Sequence, residues 1–170
     1  MFLFLMEISD LIRRLEAFIP DSHQGLPEEV FRLVSRLTPL VNVDLLIQDA
    51  KLGTLLTWRN DDFSAAGWHV PGGIIRFKET AAARVRAVAR GELRVDVEFD
   101  PAPIAISEGI NHALQTRGHF FSLLFRCRLT TPLDESRRFR PEQPQPDFWG
   151  WHKSYPADMI PAHDFYRRFF

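Results

Sequence analysis

The hydrophobic pattern of the first 37 residues predicts two amphipathic helices. In residues 7–18, EISDLIRRLEAF, apolar side chains recur at the three- and four-residue spacing of one helix face, and Pro20 ends the pattern. Residues 27–37 repeat this spacing, with Pro27 near the start of the helix, a position that proline favours. We predict a helical hairpin that covers the core or supplies a dimer surface.

From residue 38 onward the pattern changes to the β-branched and apolar runs that are typical of strands. The predicted strands are residues 40–50, 54–59, about 95–108, 119–129 and 147–152. The predicted helices in this part of the chain are residues 79–93 and 161–170. The predicted loops are residues 60–67, 106–118 and 131–147. Because strands and helices do not alternate regularly, this order favours an α+β fold, with a mixed sheet sandwiched by helices, over a Rossmann sheet. We divide the chain into an N-terminal helical extension, residues 1–37, and one domain, residues 38–170.

Composition narrows the class of protein. A chain of 170 residues with 45% hydrophobic residues suits one domain with a real core. The formal net charge of -1 gives no support for nucleic-acid or membrane binding. The opening MFLFLM is too short for a signal peptide and lacks a basic leader, so we expect a cytoplasmic protein. The single cysteine, Cys127, has no partner for an internal disulfide and is expected to be a small buried apolar residue.

Candidate chemistry is concentrated in GWHVPGGIIRFKETAAARVRAVARGELR, residues 67–94. The glycine pair Gly72-Gly73 allows the backbone to approach a ligand closely, although a pair of glycines alone fits a tight turn equally well. Glu92 follows Val88 by four residues and so continues an apolar helix face. A partly buried carboxylate needs a partner, and either a divalent cation or an arginine would serve.

Gly73, five residues, Glu79 and a helix ending in Glu92 resemble the Nudix box, G-x5-E-x7-R-E-U-x-E-E-x-G-U with U apolar. The resemblance covers residues 38–155 and implies the Nudix fold. It also implies a hydrolase that uses Mg²⁺, or Mn²⁺, to cleave nucleoside diphosphates linked to another group. The box is degenerate. The residues that stand where the family has its arginine, two of its glutamates and its last glycine are Ala87, Val88, Gly91 and Arg94.

Among Nudix proteins, the chain resembles the GDP-mannose mannosyl hydrolase branch best, through TPLVNVDLLI (38–47), WRNDDFSAAGWHVPGG (58–73) and PEQPQPDFWGW (141–151). That resemblance implies three metal ligands: the Gly72 carbonyl, Glu92 and Gln145. It implies substrate contacts from Asp44, Arg59 and Gly73. Glu92 and Glu79 would be the catalytic glutamates, with Glu79 orienting the box.

Two departures fall inside this branch. Pro146 stands where the branch has its general base, and Ile74 stands where it has an arginine that stabilises the leaving diphosphate. His119 and Glu108 are the substitute bases that we consider first, although a solvated side chain is the commoner role for each. Other side chains that we consider for the site, with a structural role more typical of each, are those of His69, His112, Asp147 and His152.

The sequence therefore predicts a Mg²⁺-dependent Nudix hydrolase acting on a nucleotide sugar resembling GDP-mannose, or on another nucleoside diphosphate derivative. The alternative is a catalytically impaired Nudix-fold domain that binds or senses a nucleotide, and a weaker one is a structural domain with a decayed site. The expected partners are a small-molecule nucleotide and a second copy of the chain. Neither nucleic acid nor membrane is expected.

Overall fold

The computed structural model describes residues 7–61 and 64–170. The apolar run at residues 1–6, considered above as a signal peptide, lies outside these ranges. Within the described ranges the chain forms three α-helices: α1 (Ile8–Glu16), α2 (Glu28–Leu37) and α3 (Ala81–Val88). A π-helical turn (Ala89–Leu93) continues α3, and 3₁₀ helices occupy Glu135–Arg137 and Pro161–Phe169.

In the part of the chain that the structure describes, eight strands form one mixed sheet. They are β1 (Leu40–Asp49), β2 (Gly53–Asp61), β3 (Ser64–His69), β4 (Gly72–Ile74), β5 (Val97–Phe99), β6 (Ala105–Ile110), β7 (His119–Leu129) and β8 (Trp149–His152). The main path runs β3-β2-β1-β7-β5, with β4 on β1, β6 on β7 and β8 on β2. Strands β1 and β7 pair in parallel, and the other pairs are antiparallel. The α+β prediction with a mixed sheet is confirmed.

Alternate residues of β1 serve two hydrophobic clusters, one on each face of the sheet, because successive strand side chains point to opposite faces. Val43 and Leu45 belong to the cluster that packs against Val85 of α3. Leu46 belongs to the cluster that packs against Tyr166 of the C-terminal 3₁₀ helix. The sheet is therefore sandwiched between α3 and the C-terminal helix, as predicted.

The local differences from the sequence analysis have simple causes. The predicted loop 60–67 is largely strand, because β2 continues to Asp61 and β3 begins at Ser64. The predicted strand 95–108 is divided into β5 and β6 by a segment containing Pro101 and Pro103, which cannot donate to a sheet ladder. The 106–118 loop is shorter than predicted, since β6 extends to Ile110 and β7 begins at His119.

The N-terminal helices form at the predicted positions, but they differ in burial. Helix α1 buries none of its residues: its apolar side chains Ile8, Leu11 and Ile12 are exposed, as is Phe18 just after the helix. Helix α2 buries Val30 and Ser35. The division of the chain at residue 38 and the homodimer remain predictions. Among the residues described, no helix is both long and apolar enough to cross a membrane.

The turn after the π segment carries local strain that a substitution should relieve. Arg94 is exposed and has a φ of 60°, in the left-handed region. This conformation costs an L-residue roughly 1–2 kcal/mol, and glycine avoids most of that cost. We expect Arg94→Gly to raise the free energy of unfolding by about 0.5–1 kcal/mol in urea titration.

The matched control for this variant is Arg90→Gly, inside the π turn, where backbone freedom is not needed. Glycine there should lower stability by about 1 kcal/mol. Arg90 also donates to Asp96 at 2.7 Å in an exposed pair, which adds little. Destabilisation by both substitutions would show that Arg94 is not strained.

Candidate active site

A polar cavity of about 330 Å³, here called the diglycine cavity, opens beside the backbone of Gly72 and Gly73. Its walls come from strands β1 to β4, the π turn, the segment before β8 and the C-terminal 3₁₀ helix. Its charged and titratable side chains are those of Asp44, Arg59, His69, Glu92, Arg117, Asp147 and His163. Three carboxylates and two guanidinium groups thus face one another across a small volume.

Glu92 is the carboxylate that the surrounding backbone holds most directly. The Gly72 N–H lies 3.3 Å from its Oε1, and the Thr57 hydroxyl donates to its Oε2 at 3.1 Å. His69 Nε2 lies 3.4 Å from Oε2, and the glutamate side chain retains 20% exposure. The π turn presents this side chain, and such turns frequently occur at functional sites. Glu92 is therefore fixed in place while still open to a ligand.

Asp44 lies deeper, behind the glycines. Its Oδ2 accepts hydrogen bonds from the Ser122 hydroxyl and, at 2.5 Å, from the Tyr166 hydroxyl. In the β1–β4 ladder it is opposite Gly72, where a Cβ would lie 1.8 Å from Oδ1, so only glycine fits. Burial raises the pKa of Asp44 from 3.8 to about 6, against the lowering effect of the two hydroxyl donors, and Glu92 raises it further.

The sequence analysis predicted a metal ligand at Gln145 and a structural role for Asp147, whereas Asp147 is the residue that lines the cavity. Gln145 is exposed and does not line the diglycine cavity, although its neighbour Pro146 does. Asp147 lines the cavity, with a φ of 61° and its N–H donating to the Trp58 carbonyl at 2.8 Å. Burial and the nearby Glu92 raise the pKa of Asp147, while Arg137 lowers it.

Glu79 lies outside the diglycine cavity, one residue before Thr80, the N-cap of α3. It accepts from the Arg76 N–H at 2.9 Å and pairs with Arg84 at 2.6 Å. Thr80 begins the helix by accepting the Ala83 N–H at 3.1 Å. These contacts fix the start of the helix whose far end carries Glu92. They support the predicted orienting role and do not bring Glu79 to a ligand.

The remaining predicted residues divide into two groups. Arg59 lines the cavity from β2, and Gly73 lines it while approaching α3, where a Cβ would lie 2.9 Å from Val88. The two predicted bases are elsewhere. His119 and Glu108 pair with each other at 2.9 Å on neighbouring strands β7 and β6, are partly exposed, and do not line the cavity.

His163 is a cavity residue that the sequence analysis missed. Its Nδ1 accepts the Val70 N–H at 3.1 Å, which leaves the proton of the neutral ring on Nε2. Burial, with the positive charges of His69 and Arg59, lowers its pKa well below 6.5. The ring is therefore a neutral hydrogen-bond donor at the cavity wall. Thr57, Ser122 and Tyr166 were also missed, and no local sequence signal distinguishes these four residues from ordinary core positions.

The protein side chains by themselves do not form a metal cage. In the part of the chain that the structure describes, no group of three or more His, Cys, Asp or Glu side chains could hold a metal ion. Mg²⁺ is nonetheless often bound through one or two carboxylates, with substrate phosphates and water completing its shell. Glu92 and the Gly72 carbonyl fit a site of that kind, and they do not fit a preformed cage.

The whole fold is similar to those of solved Nudix proteins. The MutT NUDIX hydrolase from Burkholderia pseudomallei superposes with a TM-score of 0.58 at 17% identity, covering 77% of this chain and 97% of that one. A UDP-X diphosphatase gives 0.56 at 15% identity, over 94% and 75%. The MutT protein from Methanosarcina mazei Go1 gives 0.52 at 19%, over 78% and 94%. The chain has the Nudix fold, as its box resemblance implied.

Comparison of the amino-acid sequence with known families and proteins identifies few relatives. No family model matches the chain. The low-salt glycan biosynthesis protein Agl8 from Haloferax volcanii is 35% identical over 75 residues, which are 44% of this chain. The match spans 47% of the relative, about half its length. It does not decide between branches of the superfamily.

The raised pKa of Asp44 predicts a specific dependence of stability on pH. Between pH 3.8 and about 6 the folded state binds the proton that the unfolded state releases, so stability falls as pH rises through this window. A shift of two units corresponds to about 3 kcal/mol at most. Asp44→Asn lacks this loss, so its stability relative to wild type should increase between pH 4.5 and 7.5 in urea titrations.

Asp49→Asn is the control for this pH series. Asp49 accepts backbone N–H bonds in an exposed turn, and these lower its pKa, so it is ionised throughout the same window. Its difference from wild type should not vary between pH 4.5 and 7.5. Parallel curves for Asp44→Asn and wild type would show that folding does not perturb the Asp44 carboxyl.

Proposed function

We propose that this protein is a Mg²⁺-dependent hydrolase of a nucleotide sugar or another nucleoside diphosphate derivative. The observation that carries the proposal is the diglycine cavity itself. In a Nudix fold, Glu92, Asp147 and Arg59 line this one cavity, beside glycine backbone that a diphosphate can approach. Paired carboxylates with a nearby guanidinium suit a ligand that is anionic and carries a divalent cation.

The substrate class is supported by the names of two similar proteins as well as by the box. Agl8 is named for low-salt glycan biosynthesis, and another similar structure is a UDP-X diphosphatase. Both names accord with a sugar or other group carried on a nucleoside diphosphate. A GDP-mannose-like substrate remains the member of this class that the sequence resemblance favours.

Glu92 and the Gly72 carbonyl would hold the cation. When bound, Mg²⁺ would neutralise charge on the diphosphate oxygens and lower the pKa of a coordinated water. Arg59 would hold the diphosphate by charge-assisted hydrogen bonds. Glu79, through Arg84, would keep α3 and hence Glu92 in position. Gln145 would contribute less than the resemblance implied, because its side chain is exposed outside the cavity.

Asp147 is our candidate for the general base. It follows Pro146 directly, so its carboxylate lies one residue after the position where the resemblance places a base. Burial and Glu92 raise its pKa, which brings a carboxylate closer to the pH at which proton transfer is most efficient. His119 and Glu108 are not candidates in this scheme, because they lie away from the cavity.

A nucleotide-binding domain without turnover is the second candidate function. Two of the altered box positions favour it, because neither contributes to the site. Val88 is buried in the core, and Gly91 has open space around it. A domain of this kind would gain thermal stability with nucleotide and release no product.

The kinetic prediction compares three conservative variants on a panel of nucleotide sugars with Mg²⁺. Glu92→Gln should lower kcat/KM by about 10²-fold, since it removes a cation-holding carboxylate. Asp147→Asn should lower kcat by about 10²–10⁴-fold and abolish the rise of rate with pH, because the base is active only when deprotonated. Gln145→Ala should stay within about threefold of wild type. Equal losses of kcat for Gln145→Ala and Asp147→Asn would show that Gln145 does contribute to the site.

Incubation in ¹⁸O-labelled water tests the reaction itself. We expect labelled product with Mg²⁺ and none with EDTA, read by mass spectrometry. Label in a free sugar identifies attack at carbon, and label in a phosphate identifies attack at phosphorus. If no substrate gives a product and a nucleotide raises the Tm, the hydrolase proposal is wrong and the nucleotide-binding domain without turnover is favoured.

A further inference from the structure

A second cavity of about 510 Å³ opens directly beside the diglycine cavity. We call it the arginine compartment, after Arg32, Arg59 and Arg117 on its walls; its other walls include Asn42, Leu114 and Ile160. The two cavities share several lining residues and are therefore adjacent. The shared residues are Asn42, Arg59, Ile74, Arg117 and His163.

The N-terminal extension builds one wall of this compartment. Arg32 projects from α2 and is held by Glu28 at 2.7 Å along the helix. On the loop between β6 and β7, the Arg117 N–H donates to the Ser35 hydroxyl of α2 at 3.2 Å, and the Arg117 guanidinium lies 5.6 Å from the Phe31 ring centroid. Helix α2 thus holds the loop that carries Arg117, in addition to the predicted role of covering the core.

The chemistry of the compartment differs from that of the diglycine cavity. All three of its named cations are arginines, whose guanidinium groups match phosphate oxygens and stack on planar rings. The apolar part of its lining includes Leu114, Phe120 and Ile160. Acidic side chains, which dominate the diglycine cavity, do not line this compartment among the described residues. The compartment therefore suits a ligand that is both anionic and partly apolar.

Two side chains at the junction supply one hydrogen-bond acceptor and one donor. The Asn42 Oδ1 is enclosed and has no hydrogen-bond partner among the described residues. A buried acceptor without a partner is destabilising, and a ligand N–H or O–H would satisfy it. His163, with Nδ1 occupied by Val70, offers its Nε2–H to an acceptor. A nucleoside carries both complementary groups on its base edge and its ribose.

We infer that the arginine compartment binds the nucleotidyl half of the substrate, a nucleoside with its own phosphate, while the diglycine cavity receives the bond to be broken. This inference rests on the proposed function and adds a substrate-recognition role for α2. The phosphate would face the arginines and the base would lie against Leu114 and Ile160. The volume is within the 300–1,000 Å³ that small-molecule sites typically have.

Calorimetric titration in EDTA tests this assignment, because the arginines need no cation to attract phosphate. The probes are AMP, GMP, UMP and CMP, with inorganic phosphate as the reference. At least one nucleotide should bind ten times or more as tightly as phosphate. Arg32→Gln should weaken that nucleotide by roughly tenfold through the lost charged hydrogen bond. Arg36→Gln, an exposed arginine of the same helix outside the compartment, should leave it unchanged.

A second pair of variants tests the volume without changing charge. Ala162 lines the compartment from an exposed position, and Ala157 is exposed and lies outside it. Ala162→Leu should weaken nucleotide binding and Ala157→Leu should not. The inference is overturned if no nucleotide binds more tightly than phosphate, or if the members of either pair behave alike.

These titrations are independent of turnover. Nucleotide binding with the predicted variant pattern, but without hydrolysis, would sink the proposed hydrolase and leave the compartment assigned. If instead a nucleotide sugar is hydrolysed and neither Arg32→Gln nor Ala162→Leu changes kcat/KM, the proposed hydrolase stands and the assignment of the compartment is wrong.

Discussion

The contact between the Gly72 backbone and the buried Asp44 carboxylate is the constraint on which the site depends. The Asp44 carboxylate occupies the place that a Cβ on Gly72 would take, so the paired β1 and β4 strands leave no room for a side chain there. From this point the Gly72 N–H reaches Glu92, while Asp44 gathers the hydroxyls of Ser122 and Tyr166. One aspartate therefore joins the glycine strand, the central parallel strands and the C-terminal helix. The position of Glu92 follows from that arrangement.

The same arrangement concentrates negative charge where a neutral core would be more stable. Glu92 raises the pKa of both Asp44 and Asp147, so its charge makes the ionisation of these two carboxyl groups less favourable. Hydrogen bonds from Thr57, Ser122 and Tyr166 offset part of this cost. An assembly of this kind is common where function requires charge, because a bound cation relieves the repulsion between the carboxylates only in the complex.

Segments outside the Nudix box form much of the walls of the diglycine cavity and the arginine compartment. Helix α2 fixes the loop carrying Arg117, and the C-terminal 3₁₀ helix supplies His163 and Tyr166. The box helix contributes Glu92, whereas its other family acids are replaced by residues that pack or face solvent. The degenerate box is therefore a poor measure of this site, since the loop between β6 and β7, the segment before β8 and the C-terminal 3₁₀ helix also line the diglycine cavity.

The sequence by itself determined the sheet-forming segments, the box helix, the glycine pair and Glu92, because periodicity and backbone freedom are properties of neighbouring residues. It favoured Gln145 over Asp147 because alignment to a motif cannot show which side chain a turn with positive φ directs inward. It also kept His119 and Glu108 as bases, although the β6–β7 register pairs them away from the cavity. Tyr166 reaches Asp44 across 122 positions, and Val70 fixes His163 across 93. Only tertiary structure decided these contacts, because strand register and the docking of the C-terminal helix bring together residues whose local sequence carries no record of each other.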